Sequence, residues 1–152
     1  MWDQEKKHLA VMDKLQHQHR IRPTVLSGVA KVAGFGLGAA SALMGKEAAM
    51  ACTEAVETVI GEHYDEQVLI LTWLLSHKAK VYASQLKEME CLPSSHPSVP
   101  LLRAVVREFM DDELEHLNIA VENFSQRAPS HALFSAVVET GCKLAIELCR
   151  RF

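Results

Sequence analysis

Basic residues are in slight deficit in this sequence of 152 residues. Lys and Arg number 16 against 19 Asp and Glu, and the formal net charge is -3. A domain that binds nucleic acid generally carries a broad basic field. The composition provides none, so nucleic acid is excluded as an expected partner.

Cysteine is sparse, and so are the marks of a targeting segment. The four cysteines form no CxxC pair and are too scattered for a disulfide framework. This favours a reducing compartment. The opening residues MWDQEKKHL include acids and no leader-like apolar run, so they predict neither a secretory signal nor a transit peptide.

Alternating β-branched runs are few, whereas apolar residues recur at intervals of three and four over long stretches. This periodicity predicts one all-α domain over residues 1–152. A break of the third helix near Gly61 stays open. The run CLPSSHPSVP indicates a loop, which we place at residues 76–100 as a surface insertion. The predicted helices cover residues 1–21, 24–44, 45–75, 99–124 and 130 to the C-terminus.

The second predicted helix is apolar almost all round, with Lys31 as its only charge and four glycines. Its 21 residues would be long enough to span a bilayer. A span would place Lys31 near the middle, at a cost of about 2.5 to 3.5 kcal/mol. One alternative is a buried helix with close packing at its glycines. The sequence favours the other, a helix lying in a membrane interface.

Two Glu-x-x-His pairs lie on the predicted core-facing sides of separate helices. They are Glu5 with His8 and Glu113 with His116. Chance alone predicts about 0.7 such pairs, so the spacing by itself is weak evidence for a metal site. The stronger evidence is that both pairs lie on core-facing sides of their helices. A carboxylate in an apolar core needs a compensating partner. A metal ion would supply one, and a Glu–His hydrogen-bond network without metal is the alternative.

The third helix adds Glu57, a candidate single carboxylate ligand at the edge of an apolar face. A ferritin-like di-iron site uses one Glu from each of two helices and Glu-x-x-His from two others. The chain supplies five of those six ligands. His63 and Tyr64 are candidates for a relay of protons or electrons, against the alternative that His63 is a hydrogen-bonded core residue. We expect solvated or loop positions for the remaining candidates, namely Glu54, Glu62, His17, His77, His96 and His131.

Several strings, in order along most of the chain, resemble the demethoxyubiquinone hydroxylase family. They are MWDQEKKHL, the run from RPTVLSGVAKV to GEHYDEQ, DDELEHLNIA and TGCKLAIELCRRF. The resemblance implies a ferritin-like helical bundle, peripheral on the membrane. It also implies that Glu5 and Glu113 bridge two irons, that His8 and His116 each cap one, and that Glu57 is a terminal ligand. The family's opening helix, which carries the sixth ligand, is expected to be missing here, because Met1 lies just before the second ligand helix.

The same resemblance implies a monooxygenase of ubiquinone biosynthesis that hydroxylates a polyprenylated 6-methoxy-benzoquinone. Its cofactors would be two iron ions, with dioxygen and electrons from NADH. Its partners would be a membrane surface and a lipid-presenting subunit. Its location would be the matrix side of the mitochondrial inner membrane, and whether it forms a homo-oligomer stays open. The absent ligand makes activity of the chain as given an open question. The alternatives are an iron-storage bundle and a shortened, non-catalytic interaction protein.

Overall fold

The structure is a computed structural model that describes residues 1–75 and 98–151. Those residues form five α-helices and one short 3-10 turn, Ser125–Arg127, and contain no strand. The all-α prediction is confirmed. The helices are α1 (Trp2–His19), α2 (Ser27–Leu43), α3 (Lys46–Leu75), α4 (Ser98–Glu122) and α5 (His131–Arg151).

Each predicted helix is present, with ends that differ by a few residues. Helix α1 stops ahead of Pro23, at a left-handed residue, Arg20, with φ 53° and ψ 36°. Helix α3 runs unbroken through Gly61. Residues 76–97 of the predicted loop lie outside the described residues. The last three residues of that loop, 98–100, form the first turn of α4 instead.

Two compact units make up the chain. One comprises Met1–Val59 with Asp112–Phe152, and the other comprises Ile60–Asp111. All of α1, α2 and α5 belong to the first unit, while α3 and α4 each contribute to both. The prediction of a single domain stays a prediction.

The core of the first unit is formed by small side chains of α3 against α5. Cys52 and Ala55 pack on Val138, and all three are buried. Removing such apolar surface from water contributes about 25 cal/mol per Å². Partly buried side chains complete this cluster: Leu37, Val56, Phe134 and Cys142.

A separate cluster lies within the second unit. Leu71 of α3 and Val106 of α4 are buried there, with Val68 and Leu102 packed beside them. Tyr64 and Phe109 meet edge to face, with ring centroids 6.2 Å apart. This geometry is one that aromatic pairs favour.

Helix α2 is exposed along most of its length, in contrast to the alternative of a buried helix with close glycine packing. Phe35 is 80% and Leu43 is 90% exposed. A Cβ added at Gly28, Gly34, Gly36 or Gly38 would meet no atom within 4 Å. Among the described residues, its apolar side chains are therefore mostly uncovered.

The junction between α2 and α3 is short and depends on Gly45. This residue has φ 115°, in a region that side chains with a Cβ rarely adopt. Its backbone N–H donates to Ala42 O and its carbonyl accepts from Ala49 N. Gly45 thus ends one helix and starts the next within a single turn.

Glu54 was predicted to be solvated and His131 to lie at the surface or in a loop, but both are partly buried and in contact with each other. Nε2 of His131 lies 3.0 Å from Oε2 of Glu54, and the two side chains are 25% and 17% exposed. The helical projection placed Glu54 away from Glu57, but α5 begins at that side of α3 and covers it. In agreement with prediction, Glu62 and His17 are exposed.

Within the part of the chain that the structure describes, no helix has both the length and the apolar character needed to cross a membrane.

Candidate metal centre

The predicted ligands come from three helices, and all of them lie on the parts of those helices that belong to the first unit. Helix α1 carries Glu5 and His8, α3 carries Glu57, and α4 carries Glu113 and His116. In both pairs the three-residue spacing places the carboxylate and the imidazole on the same side of their helix.

Four of the five predicted ligands converge at one point. Glu5, Glu57, Glu113 and His116 each offer one ligand atom, and these four atoms lie within 4.8 Å of one another. His8 is adjacent but outside this set of four. We call the group of four the carboxylate cluster. Metal binding by these residues remains a prediction.

His116 is fully buried and directs Nδ1 towards the carboxylate cluster. This atom lies 3.1 Å from Oε1 of Glu5, 3.2 Å from Oε2 of Glu113 and 3.9 Å from Oε1 of Glu57. The other ring nitrogen, Nε2, lies 3.0 Å from Oε1 of Gln4. Both nitrogens of the imidazole therefore have defined neighbours.

His8 is oriented in the same way. Its Nδ1 atom lies 3.3 Å from Oε1 of Glu113 and 3.9 Å from Oε2 of Glu5. Its Nε2 atom lies 2.9 Å from Oδ2 of Asp112. In each histidine, Nδ1 is the nitrogen on the side of the carboxylates.

Burial differs among the cluster residues. Glu113 and His116 are buried, as the helical projection of α4 predicts. The Glu57 side chain is 13% exposed. Glu5 is a correction, because its side chain was predicted to lie in the core and is 47% exposed. It lies at the rim of the site, where the described residues leave the cluster open.

The carboxylates raise one another's proton affinity. Burial raises the pKa of Glu57 to about 9, with further contributions from a hydrogen bond to Glu113 and from the charges of Glu113 and Glu5. Burial, followed by the charge of Glu113, also raises the pKa of Glu5. Without a cation, the cluster thus retains a proton at neutral pH.

The donor set fits iron. Three carboxylates and an imidazole, with a second imidazole beside them, form an oxygen-rich site without thiolate ligands. Hard and borderline metals such as iron favour this composition. Burial and, after it, the neighbouring carboxylates raise the pKa of Glu57, and the charge of a bound divalent cation would favour its ionised form.

Two polar residues next to this cluster were not predicted. Gln4 and Asp112 each precede a glutamate of a Glu-x-x-His pair, and each contacts the outer nitrogen of the histidine on the opposite helix. Their position just before the two ligand glutamates is a sequence signal that could have identified them.

His63 and Tyr64, the candidate relay, lie on the part of α3 that belongs to the second unit. Nε2 of His63 is 2.9 Å from Nε2 of Gln67. Tyr64 packs against Phe109. Both side chains are partly buried and hold local contacts, and their role as a relay stays a prediction.

An all-helical fold with clustered glutamates and histidines from three helices defines a protein of the ferritin-like class. Comparison with known families identifies the branch of that class. The family described as ubiquinone biosynthesis protein COQ7 matches residues 1–149. The chain belongs to this family.

Curated relatives are similar along nearly the whole chain. A Dictyostelium discoideum protein and a human protein, both named NADPH-dependent 3-demethoxyubiquinone 3-hydroxylase, mitochondrial, are 44% and 39% identical over 99% of the chain. A Rhodospirillum rubrum protein named 3-demethoxyubiquinol 3-hydroxylase is 38% identical over the same share. The chain spans 60% of the length of each.

Proposed function

We propose that this chain forms most of a di-iron monooxygenase that hydroxylates a polyprenylated demethoxy-benzoquinone in ubiquinone biosynthesis. The observation that carries this proposal is the convergence of Glu5, Glu57, Glu113 and His116 within 4.8 Å. The names of the relatives support the reaction and the substrate class.

Glu5, His8, Glu57, Glu113 and His116 would hold two iron ions. When bound, ferrous iron would supply the electrons and the Lewis acidity with which dioxygen is activated for ring hydroxylation. Glu57 would release its proton on binding, because the cation replaces that proton as the counter-charge.

Each hydroxylation by dioxygen consumes two electrons in all, which a donor must replace in every turnover. We propose a reduced nicotinamide nucleotide as their ultimate source. The resemblance favours NADH, whereas the names of the Dictyostelium and human relatives favour NADPH. An assay with each nucleotide in turn distinguishes the two.

The proposed location is the matrix face of the mitochondrial inner membrane, with the chain bound peripherally. The Dictyostelium and human relatives are named mitochondrial. The exposed apolar residues of α2 support contact with lipid, and a polyprenyl quinone partitions into lipid. We propose that the same apolar surface meets a partner subunit that presents the substrate.

The test measures iron and product in one preparation. The purified chain is loaded with ferrous iron without oxygen, and bound iron is measured per chain. Then ¹⁸O₂, NADH or NADPH and a short-chain demethoxy-benzoquinone are added, and product is analysed by mass spectrometry. We expect two irons per chain and one ¹⁸O atom in the ring.

The two alternatives predict different results in the same experiment. An iron-storage bundle would bind and oxidise iron but leave the quinone unchanged. A non-catalytic interaction protein would bind well under two irons per chain. The uncovered apolar surface of α2 disfavours storage, because a cage-forming protein needs a polar exterior.

A further inference from the structure

A single glutamine connects the outer sides of both candidate ligand histidines. Oε1 of Gln4 lies 3.0 Å from Nε2 of His116. Nε2 of Gln4 donates to Oδ1 of Asp112 at 3.1 Å. Oδ2 of the same aspartate lies 2.9 Å from Nε2 of His8. The result is a continuous series of hydrogen bonds that runs from His116 through Gln4 and Asp112 to His8.

The neighbours of Gln4 determine which way its amide points. Its nitrogen faces Asp112 and also Oε2 of Glu115 at 3.1 Å, and both are carboxylates that can only accept. The reversed amide would place oxygen against two carboxylates. The orientation with Oε1 towards His116 is therefore the favoured one.

This polarity places a hydrogen on the outer ring nitrogen of each histidine. Because Oε1 of Gln4 can only accept, Nε2 of His116 must donate to it. Because Asp112 is a carboxylate, Nε2 of His8 must donate to it in turn. Nδ1 of each ring, on the side of the carboxylate cluster, is then the nitrogen that would bind a metal ion.

We propose that Gln4 is a positioning residue of the metal centre, which orients His116 directly and His8 through Asp112 so that both Nδ1 atoms face the metal site. The proposal rests on the di-iron function above. It also makes the two histidines inequivalent, because a carboxylate backs His8 and a neutral amide backs His116. A carboxylate partner raises the basicity of a ligand imidazole more than an amide does.

Four variants test this arrangement. Gln4→Leu keeps the size of the side chain and removes its hydrogen bonds. Gln4→Glu places a carboxylate against Asp112 and Glu115. The double variant Gln4→Glu with Asp112→Asn restores the series of hydrogen bonds between the two histidines and exchanges the positions of the carboxylate and the amide. The new carboxylate at position 4 accepts from both His116 and the new amide at position 112. Gln18→Leu is the matched control, on the exposed surface of the same helix.

The first measurement is Co²⁺ binding by calorimetry and by visible absorption. We expect Gln4→Leu to weaken Co²⁺ binding by about 10- to 100-fold, as for other groups that orient metal ligands. Gln4→Glu should weaken it as well, and the double variant should recover most of the loss with an altered absorption spectrum. Gln18→Leu should bind Co²⁺ as the original chain does.

The second measurement needs no metal. In the metal-free chain, NMR follows the Nε2–H proton of His116, which should exchange slowly with solvent in the original chain and faster in Gln4→Leu. An unchanged exchange rate or unchanged Co²⁺ affinity in a folded Gln4→Leu variant would overturn the proposal. If instead the original chain binds no Co²⁺, the di-iron function fails, while the exchange measurement still decides whether Gln4 holds His116.

Discussion

Nδ1 of His8 lies 3.3 Å from Oε1 of Glu113, so the histidine of one Glu-x-x-His pair meets the carboxylate of the other. The reciprocal contact joins Nδ1 of His116 to Oε1 of Glu5 at 3.1 Å. The two pairs therefore interleave between α1 and α4. A change in either pair should alter the surroundings of both histidines.

Replacing Glu113 by alanine should abolish iron loading and quinone hydroxylation together. Glu113 is buried and neighbours both histidines, so its loss removes the one candidate ligand that lies within 3.3 Å of Nδ1 in both imidazoles. Iron per chain and product formation are measured in the assay described above. Glu122→Ala is the control, since Glu122 is exposed on the same helix. Retention of both properties in Glu113→Ala would remove this residue from the site.

Stability of the metal-free chain should fall as pH rises. The folded pKa of Glu57 is raised from 4.5 to about 9. The folded state thus holds a proton that the unfolded state has lost between those values. The stabilisation is fully present below pH 4.5 and is lost as pH rises through about 9. One such group changes the free energy of unfolding by up to about 1.4 kcal/mol per pH unit.

Glu57→Gln isolates that contribution, because an amide resembles the protonated carboxyl and does not titrate. Urea unfolding with a chelator at pH 5.5, 7 and 8.5 should show a shallower pH dependence for the variant. Glu5 should leave a residual slope of the same sign, since its pKa is also raised. Equal slopes for the two proteins would contradict the assignment.

Val138→Ala should destabilise the first unit by about 2 kcal/mol, from lost apolar burial and the cavity left beside Cys52 and Ala55. The matched control is Val137→Ala, because Val137 precedes it on α5 and is 64% exposed. Denaturant unfolding gives both values. A similar cost for the two variants would contradict the packing of α5 described above.

Phe35→Glu should reduce binding to vesicles of phosphatidylcholine and cardiolipin by about tenfold or more, since a buried aromatic side chain contributes about 1.5 to 3 kcal/mol. Phe35 is 80% exposed on α2. Val137→Glu is the control, because it also replaces an exposed apolar side chain by an acidic one, but on α5. This variant should bind to the vesicles nearly as the original chain does. Sedimentation measures the bound fraction. Equal losses in both variants would exclude α2 as the particular lipid contact.

The sequence predicts the helices well because their signals are local. Helix α1 ends ahead of Pro23, and α3 begins directly after Gly45. An apolar side chain at every third or fourth position marks the buried face of α4. The same projection correctly places Glu113 and His116 in the interior. Glu57 needed the family resemblance, because a glutamate at the edge of an apolar face is ordinarily solvated.

What the sequence did not predict depends on which helix covers which surface. A helical projection assigns a residue to a side of its helix and says nothing of the neighbour on that side. Glu54 therefore looked solvated, although α5 supplies His131 to it. Glu5 was placed in the core, although its side chain is at the rim. The contact between Gln4 and Asp112 joins two helices through residues that are 108 positions apart in the chain.

The corner at Gly45 has a consequence for how this family member can vary. The residue couples α2, whose apolar side chains are mostly exposed, to the helix that carries Glu57, and its φ of 115° is one that an ordinary residue adopts only under strain. A replacement there would strain or redirect that corner, although Gly45 is not itself part of the carboxylate cluster. A single backbone torsion thus sets the angle between the exposed apolar helix and the helix that holds Glu57 in place.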